Sequence, residues 1–118
     1  NTAAALIQES IHEMIIFTEK LKGKKETVMG LAGVGDLYVS ADGGRNSKMG
    51  EYLGQGMTFK EAKKTKMPSD TVEGADLALE IGLKVKSDFD NKTLPLMVGM
   101  INTICDEKPL KFEWKNFK

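Results

Sequence analysis

Several residue types are nearly missing from this 118-residue chain, and each scarcity closes a class of function. A single cysteine, Cys105, excludes an internal disulfide and leaves no companion thiol for a metal site. It lies in the apolar run MVGMINTIC and reads as a small core hydrophobe. The one histidine, His12, has only Glu9 and Glu13 close by, so it reads as a surface or helix-face residue and no metal is expected. Net charge is also lacking: 17 basic and 17 acidic residues cancel, leaving no field to hold nucleic acid or an anionic membrane. No apolar run approaches the roughly 20 residues of a membrane span, and no basic start leads into a signal-like apolar segment. A reduced, cytoplasmic setting is the default.

What is present suits one globular domain with one core over 1-118, at 41% hydrophobic and 29% charged residues. The chain opens on Asn1 rather than Met, straight into a helical pattern, which reads as a fragment. From Ala3 to Leu21, residues Ala4, Ile7, Ile11, Met14, Ile15, Thr18 and Leu21 recur at three and four, one face of a long helix that Gly23 stops. Lysines crowding that end complement the helix dipole. Thr27 is expected to cap a short helix over Val28 to Ala32, broken at Gly33-Val34-Gly35-Asp36. Leu37 to Ser40 has no partner run, so a helix or turn is preferred to a strand.

A further helix is expected after Gly43-Gly44, carrying Met49, Tyr52 and Leu53 and ending at Gly54 or Gly56. Thr58-Phe59-Lys60-Glu61 spells a capping box that opens another. Val72 to Ile81 predicts a helix closed by Gly82, followed by a polar loop from Lys84 to Lys92. Thr93-Leu94-Pro95 suits a helix start with an apolar body from Leu96 to Ile104. The tail KPLKFEWKNFK holds Phe112, Trp114 and Phe117 at spacings that could seat against the bundle. The seven methionines read as adaptable core filler. The consistent fold class is all-α, a multi-helix bundle.

Candidate chemistry gathers in GVGDLYVSADGGRNSKMGEYLGQG, Gly33 to Gly56. Arg45 is the only arginine, all other cations being lysines, and it stands directly behind two glycines. A guanidinium meets phosphate with two parallel hydrogen bonds, which a lysine cannot do. If Asn46 and Ser47 begin a helix, their backbone N–H groups point at the same anion. A turn with an exposed arginine and an asparagine cap fits the same residues. Asp36 could accept hydrogen bonds from substrate hydroxyls or serve as a helix N-cap. Glu73, at a helix start, could bond ribose hydroxyls or complement the dipole. Gly33-Val34-Gly35 is not a dinucleotide fingerprint, because Tyr38 occupies the place of the third glycine.

In order and spacing, NTAAALIQESIHEM, the Gly33 to Gly56 stretch and the triplet Val72-Glu73-Gly74 resemble the C-terminal domain of NAD(P)-dependent glycerol-3-phosphate dehydrogenase, up to about Pro109. The resemblance implies a helical bundle of the kind that ends 6-phosphogluconate dehydrogenase, closing over a Rossmann domain absent from this chain. It also implies an oxidoreductase interconverting dihydroxyacetone phosphate and sn-glycerol 3-phosphate by hydride transfer with NAD or NADP, within glycerol phosphate, phospholipid precursor and carbohydrate metabolism. By motif, Asp36 and Ser40 match supporting positions at the reacting hydroxyls. Gly44, Arg45 and Asn46 match the substrate-phosphate segment, and Arg45, Thr71 and Glu73 match cofactor contacts.

Three positions depart from the commoner bacterial pattern. Ser40 stands where threonine is usual, Gly44 where serine is, and Thr71 where valine is. The family's catalytic lysine lies upstream of Asn1, so the chain alone is expected to be inactive. Its partners are the small-molecule substrate, the missing Rossmann domain and, through the apolar surface that domain would cover, a second copy of the chain. The alternative is a non-catalytic helical module that binds phosphate esters or a protein partner.

Overall fold

The apolar run of residues 96–104 buries Leu96, Val98, Ile101 and Thr103, and the helices over residues 2–20 and 73–88 pack directly against it. A computed structural model describes all residues 1–118, with no strand. Seven α-helices run in order: α1 Thr2–Lys20, α2 Lys25–Val28, α3 Asp36–Ala41, α4 Arg45–Gly54, α5 Phe59–Thr65, α6 Glu73–Asp88 and α7 Pro95–Asp106. One π turn, Leu31–Gly35, joins α2 to α3, and one 3-10 turn, Trp114–Asn116, lies in the tail. The all-helical expectation holds. None of the helices is long and apolar enough to cross a membrane.

Two apolar clusters hold these helices. Met49 and Leu53 of α4, Phe59 and Ala62 of α5, Met67, Val72 and Ala75 form the first. Val85 of α6 with Leu94, Val98 and Ile101 around α7 form the second, where Phe17 and Phe89 pack ring to ring at 6.1 Å. The expected starts are local devices and appear where the sequence puts them. Thr58 Oγ1 accepts from Glu61 N at 3.1 Å, and Pro95 occupies the first turn of α7. Two of the methionines, Met29 and Met100, are exposed rather than core filler.

Four expectations are corrected. Thr27 lies inside α2 instead of capping it; the N-cap is Lys24, with no side-chain bond. Gly33-Val34-Gly35 does not break the chain but winds into the π turn, with Gly35 N bonded to Gly30 O at 3.2 Å.

Gly82 does not end α6, which continues through Lys84 to Asp88, so the loop expected from Lys84 is helical in its first half. There the missing side chain lets α7 close in: a Cβ would sit 2.9 Å from Ile101 Cγ2 and 3.1 Å from Cys105 Sγ. Cys105 itself is half-buried, donates to Ala78 O at 3.3 Å, and burial pushes its thiol pKa up.

The fourth correction concerns α1. Its fully buried residues are Glu9 and Glu13, while Ile7 and Leu21 of the expected apolar face are exposed. Glu13 accepts from Leu96 N at 2.7 Å and Met97 N at 2.8 Å, capping α7 from another helix. Glu9 Oε1 accepts from Lys118 N at 2.7 Å, fastening the tail, whose Phe112 covers Gly99 of α7.

Candidate functional site

α3 ends at Ala41, and only Asp42, Gly43 and Gly44 separate it from α4. Such a reversal demands a residue free to take positive φ, and Gly44 adopts φ 106°, ψ −178°. A Cβ there would touch nothing within 4 Å, so the constraint is the backbone and not space. Gly44→Ala is therefore expected to destabilise the chain by about 1–3 kcal/mol, read as a lower denaturant midpoint. Gly43→Ala, at an ordinary φ, serves as the neutral control.

Turning at Gly44 sends Arg45, Asn46 and Ser47 into the first turn of α4, where backbone N–H groups have no intrahelical acceptor. Ser47 Oγ donates to Ser40 O at 2.7 Å, tying the end of α3 to the start of α4. Asn46 Oδ1 accepts from Gly74 N at 3.0 Å, tying α4 to the start of α6. With its oxygen engaged, the Asn46 amide turns its NH2 outward as a free donor. A side chain at position 74 would press on that amide, with Cβ 3.0 Å from Oδ1. Asn46 is thus a cap after all, but for α6 rather than for its own helix.

These ties bring Ser40, Gly43, Gly44, Arg45, Asn46, Thr71 and Glu73 around one open hollow of about 210 Å³. The guanidinium of Arg45 has no carboxylate within ion-pair distance and is exposed, so its donor fork is available to an incoming anion. Glu73 opens α6, and its carboxylate has no ion-pair partner in the chain and stands as an acceptor at the same rim. The hollow therefore offers donors at the start of α4 and one acceptor at the start of α6, an arrangement that can take an anionic group and a hydroxyl together.

Asp36 is the one candidate outside the lining of this hollow. It opens α3, one helical turn before Ser40 and on the same face. It makes no capping bond, because the π turn runs straight into α3: Gly35 before it is already in the helical conformation and Asp36 N donates back to Leu31 O and Gly33 O, so Asp36 lies within the helical run and not at its cap. Its N-cap reading is corrected, and its carboxylate is left without a partner. Around it Leu31, Tyr38 and Val39 are 88%, 78% and 70% exposed, an apolar collar next to the polar hollow.

A larger hollow of about 280 Å³ lies between α7 and the tail, lined by Asn91, Val98, Asn102, Lys108 and Glu113 among others. None of the motif residues reaches it, and Lys111 in its wall is already paired with Glu113 at 3.8 Å. Donor chemistry favours the smaller one. No three His, Cys, Asp or Glu side chains come together as a metal site would require.

The struts Ser47 and Gly74 escaped the sequence reading of the site. Ser47 was legible only as a backbone donor, and the pairing of Asn46 with Gly74 spans 28 residues, beyond any local pattern.

The model of the family described as NAD-dependent glycerol-3-phosphate dehydrogenase C-terminus matches residues 1–113. Among curated proteins, a glycerol-3-phosphate dehydrogenase [NAD(P)+] of Agathobacter rectalis is 35% identical over 114 residues, covering 94% of this chain and 32% of that protein. A second of the same description from Pseudomonas aeruginosa is 39% identical over 102 residues, with 85% and 29% covered. An NADP(+)-dependent glycerol-3-phosphate dehydrogenase of Archaeoglobus fulgidus is 36% identical over 123 residues, with 100% and 36% covered. The chain thus spans about a third of the length of these relatives. No solved structure was found to match it.

Proposed function

The chain belongs to the family of the NAD-dependent glycerol-3-phosphate dehydrogenase C-terminus, and from that premise we propose that it is the substrate-binding helical domain, residues 1-118, of a two-domain dehydrogenase that interconverts dihydroxyacetone phosphate and sn-glycerol 3-phosphate. The observation that carries this reading is the shared hollow at the starts of α4 and α6, with an unpaired arginine fork beside a free amide NH2. Arg45 and Asn46 grip the phosphate, and the backbone N–H groups of the first turn of α4 add their dipoles. The backbone of Gly44 lets the ester approach closely, since no side chain stands there.

Ser40 and Asp36, one turn apart on α3, serve the hydroxyl end of the substrate. Asp36 accepts from the C2 or C1 hydroxyl and orients it, and the Ser40 hydroxyl stands beside the reacting hydroxyl. Neither is placed as the acid that protonates the forming alkoxide. That proton transfer belongs to the remainder of the enzyme, which is why turnover is not expected of these residues alone.

The nicotinamide cofactor, NAD or NADP, supplies the hydride. The residues present fit it at the rim: the free carboxylate of Glu73 suits ribose hydroxyls, and Arg45 and the Thr71 hydroxyl suit the polar groups beside them. The apolar collar of Leu31, Tyr38 and Val39 is the face a dinucleotide-binding domain would cover, or through which isolated copies would self-associate.

Asn46→Asp in the complete enzyme separates binding from folding. Its Oδ1 equivalent still accepts from Gly74 N, so the circular dichroism spectrum and melting temperature should stay close to wild type. The donor to phosphate is replaced by a negative charge, and the KM for the phosphorylated substrate should rise at least about tenfold, one charged hydrogen bond contributing roughly 1.5–3 kcal/mol. An unchanged KM would overturn the assignment.

A further inference from the structure

Two carboxylic acids buried side by side cannot both keep a charge, and α1 holds such a pair. Glu9 and Glu13, one turn apart, are 0% and 2% exposed. Their outer partners belong to different parts of the molecule. Glu13 receives the N–H groups of Leu96 and Met97 at the start of α7, and Glu9 Oε1 receives that of Lys118 in the tail. Glu9 Oε2 is buried with no donor in reach. An acceptor-only atom in that position, facing a second acid, lacks only a proton, and one proton shared between the two side chains satisfies both.

We propose that Glu9 and Glu13 form a proton-operated clasp, which fastens the C-terminal tail across α1 and α7 while the shared proton is held and releases it when the proton leaves. The pair is the sole link of the backbone at Lys118 to α1, and it anchors a segment otherwise seated through its aromatic rings and the bond that Asn116 Nδ2 donates to Asn91 O at 3.2 Å. Trp114 packs against Phe117 at 4.9 Å with the rings tilted by 43° and meets Phe112 edge-on at 6.1 Å, and Phe112 lies over Gly99. With two charges in the pair, their repulsion acts on the weaker fastening, since Glu13 is held by two α7 amides and Glu9 by one tail amide.

The charged surroundings leave the pair to itself. On α1, only His12 lies between the two acids, half-buried. At the facing end of α7, Pro95, Leu96 and Met97 carry no titratable group, while Cys105 and Asp106 stand at the other end, the latter paired with Lys86 at 2.8 Å. In α2, Lys25 and Glu26 are exposed, and the π turn carries no charge. From the tail come Lys115 and Lys118, both exposed, and Glu113, bound to Lys111.

Burial, opposed in part by the Met97 and Leu96 amides and reinforced by Glu9, raises the Glu13 pKa from 4.5 to about 7. A carboxyl whose folded pKa is raised stabilises the fastened state fully below its unfolded value, and that contribution is lost as pH rises through the folded value. The fastened-to-released ratio should therefore be largest in acid, fall by up to about tenfold per pH unit between about 4.5 and about 7, and level off above that.

Amide hydrogen exchange on the whole chain, expressed as protection factors between pH 5.5 and 8.5, tests this. The expected result is protection at Lys118, Phe117 and Asn116 that falls about 30-fold between pH 5.5 and 8.5, most of it below pH 7, while Leu53 and Ala62 in the other cluster keep theirs. Glu9→Gln, whose amide can donate to Glu13 and still accept from Lys118 N, should abolish the slope. His12→Asn should preserve it. A flat wild-type profile, a slope that survives Glu9→Gln, a slope lost in His12→Asn, or an equal fall at Leu53 and Ala62 would each overturn the clasp. If Glu9→Gln does not fold, the wild-type profile and the His12→Asn control still decide.

Discussion

Gly33→Ala is expected to leave little or no folded protein. The α-carbon of Gly33 lies against the last turn of α2, and a Cβ built on it would be 2.6 Å from the carbonyl carbon of Val28 and 2.7 Å from its Cα, closer still to the carbonyl oxygen. These are backbone atoms of a buried residue, so no rotamer change relieves the overlap. Relief requires α2 or the π turn to move, and the π turn is what delivers Asp36 to the start of α3. Overlap of this kind belongs with the exceptional substitutions that cost more than about 4 kcal/mol, much of the 5–15 kcal/mol that holds a domain of this size. Chemical denaturation followed by circular dichroism measures it. Gly50, exposed within α4 with open space around its α-carbon, supplies the contrast: alanine there should stabilise by roughly 0.5–1 kcal/mol, because it loses less chain entropy on folding. Equal behaviour of the two substitutions would refute the steric reading.

For the site, Arg45→Ala in the complete enzyme carries the largest expected effect. A fork that meets a dianion with two charge-assisted bonds, in a hollow closed over by a second domain, contributes on the order of 2–4 kcal/mol, so the KM for the phosphorylated substrate should rise between about 30-fold and 1,000-fold. Arg45→Lys keeps the charge and loses the planar fork, and should fall between alanine and wild type. Because Arg45 is exposed and makes no ion pair within the chain, neither substitution should lower the melting temperature appreciably. Wild-type KM in the alanine variant would remove the phosphate site from this hollow.

What the sequence makes legible here is whatever a few neighbouring residues decide. Pro95 in a first turn, Thr58 accepting from Glu61, and a glycine immediately before Arg45 are choices between backbone conformations settled within one turn, and each stands where its pattern puts it. The same local logic misreads Gly82. A glycine after an apolar stretch looks like a helix stop, yet its role is to admit Ile101 and Cys105, about 20 residues away, against α6.

Likewise the repeating apolar positions of α1 find the helix but not its buried face. Glu9 and Glu13 are drawn inside because the open amides of α7 and the tail amide at 118 come to them across 83, 84 and 109 residues. For the site, the type of each candidate residue was readable in Gly33 to Gly56 and in Thr71-Val72-Glu73-Gly74, since donors and acceptors are properties of the side chains themselves. Which of them meet was not, because the bond from Gly74 N to Asn46 exists only once α4 and α6 have docked.

That bond also has a thermodynamic consequence. Since the amide that faces an incoming ligand is held from behind by the first turn of another helix, occupancy of the hollow and the docking of α6 onto α4 are linked reactions. A phosphate ester that prefers the clipped orientation of Asn46 tightens the seam between the two helices by as much as the seam favours the ester. Substitutions buried well away from the hollow, along the line where α6 rests on α7, will thus register as changes in affinity, and saturation with ligand will in turn slow amide exchange in the opening turn of α6.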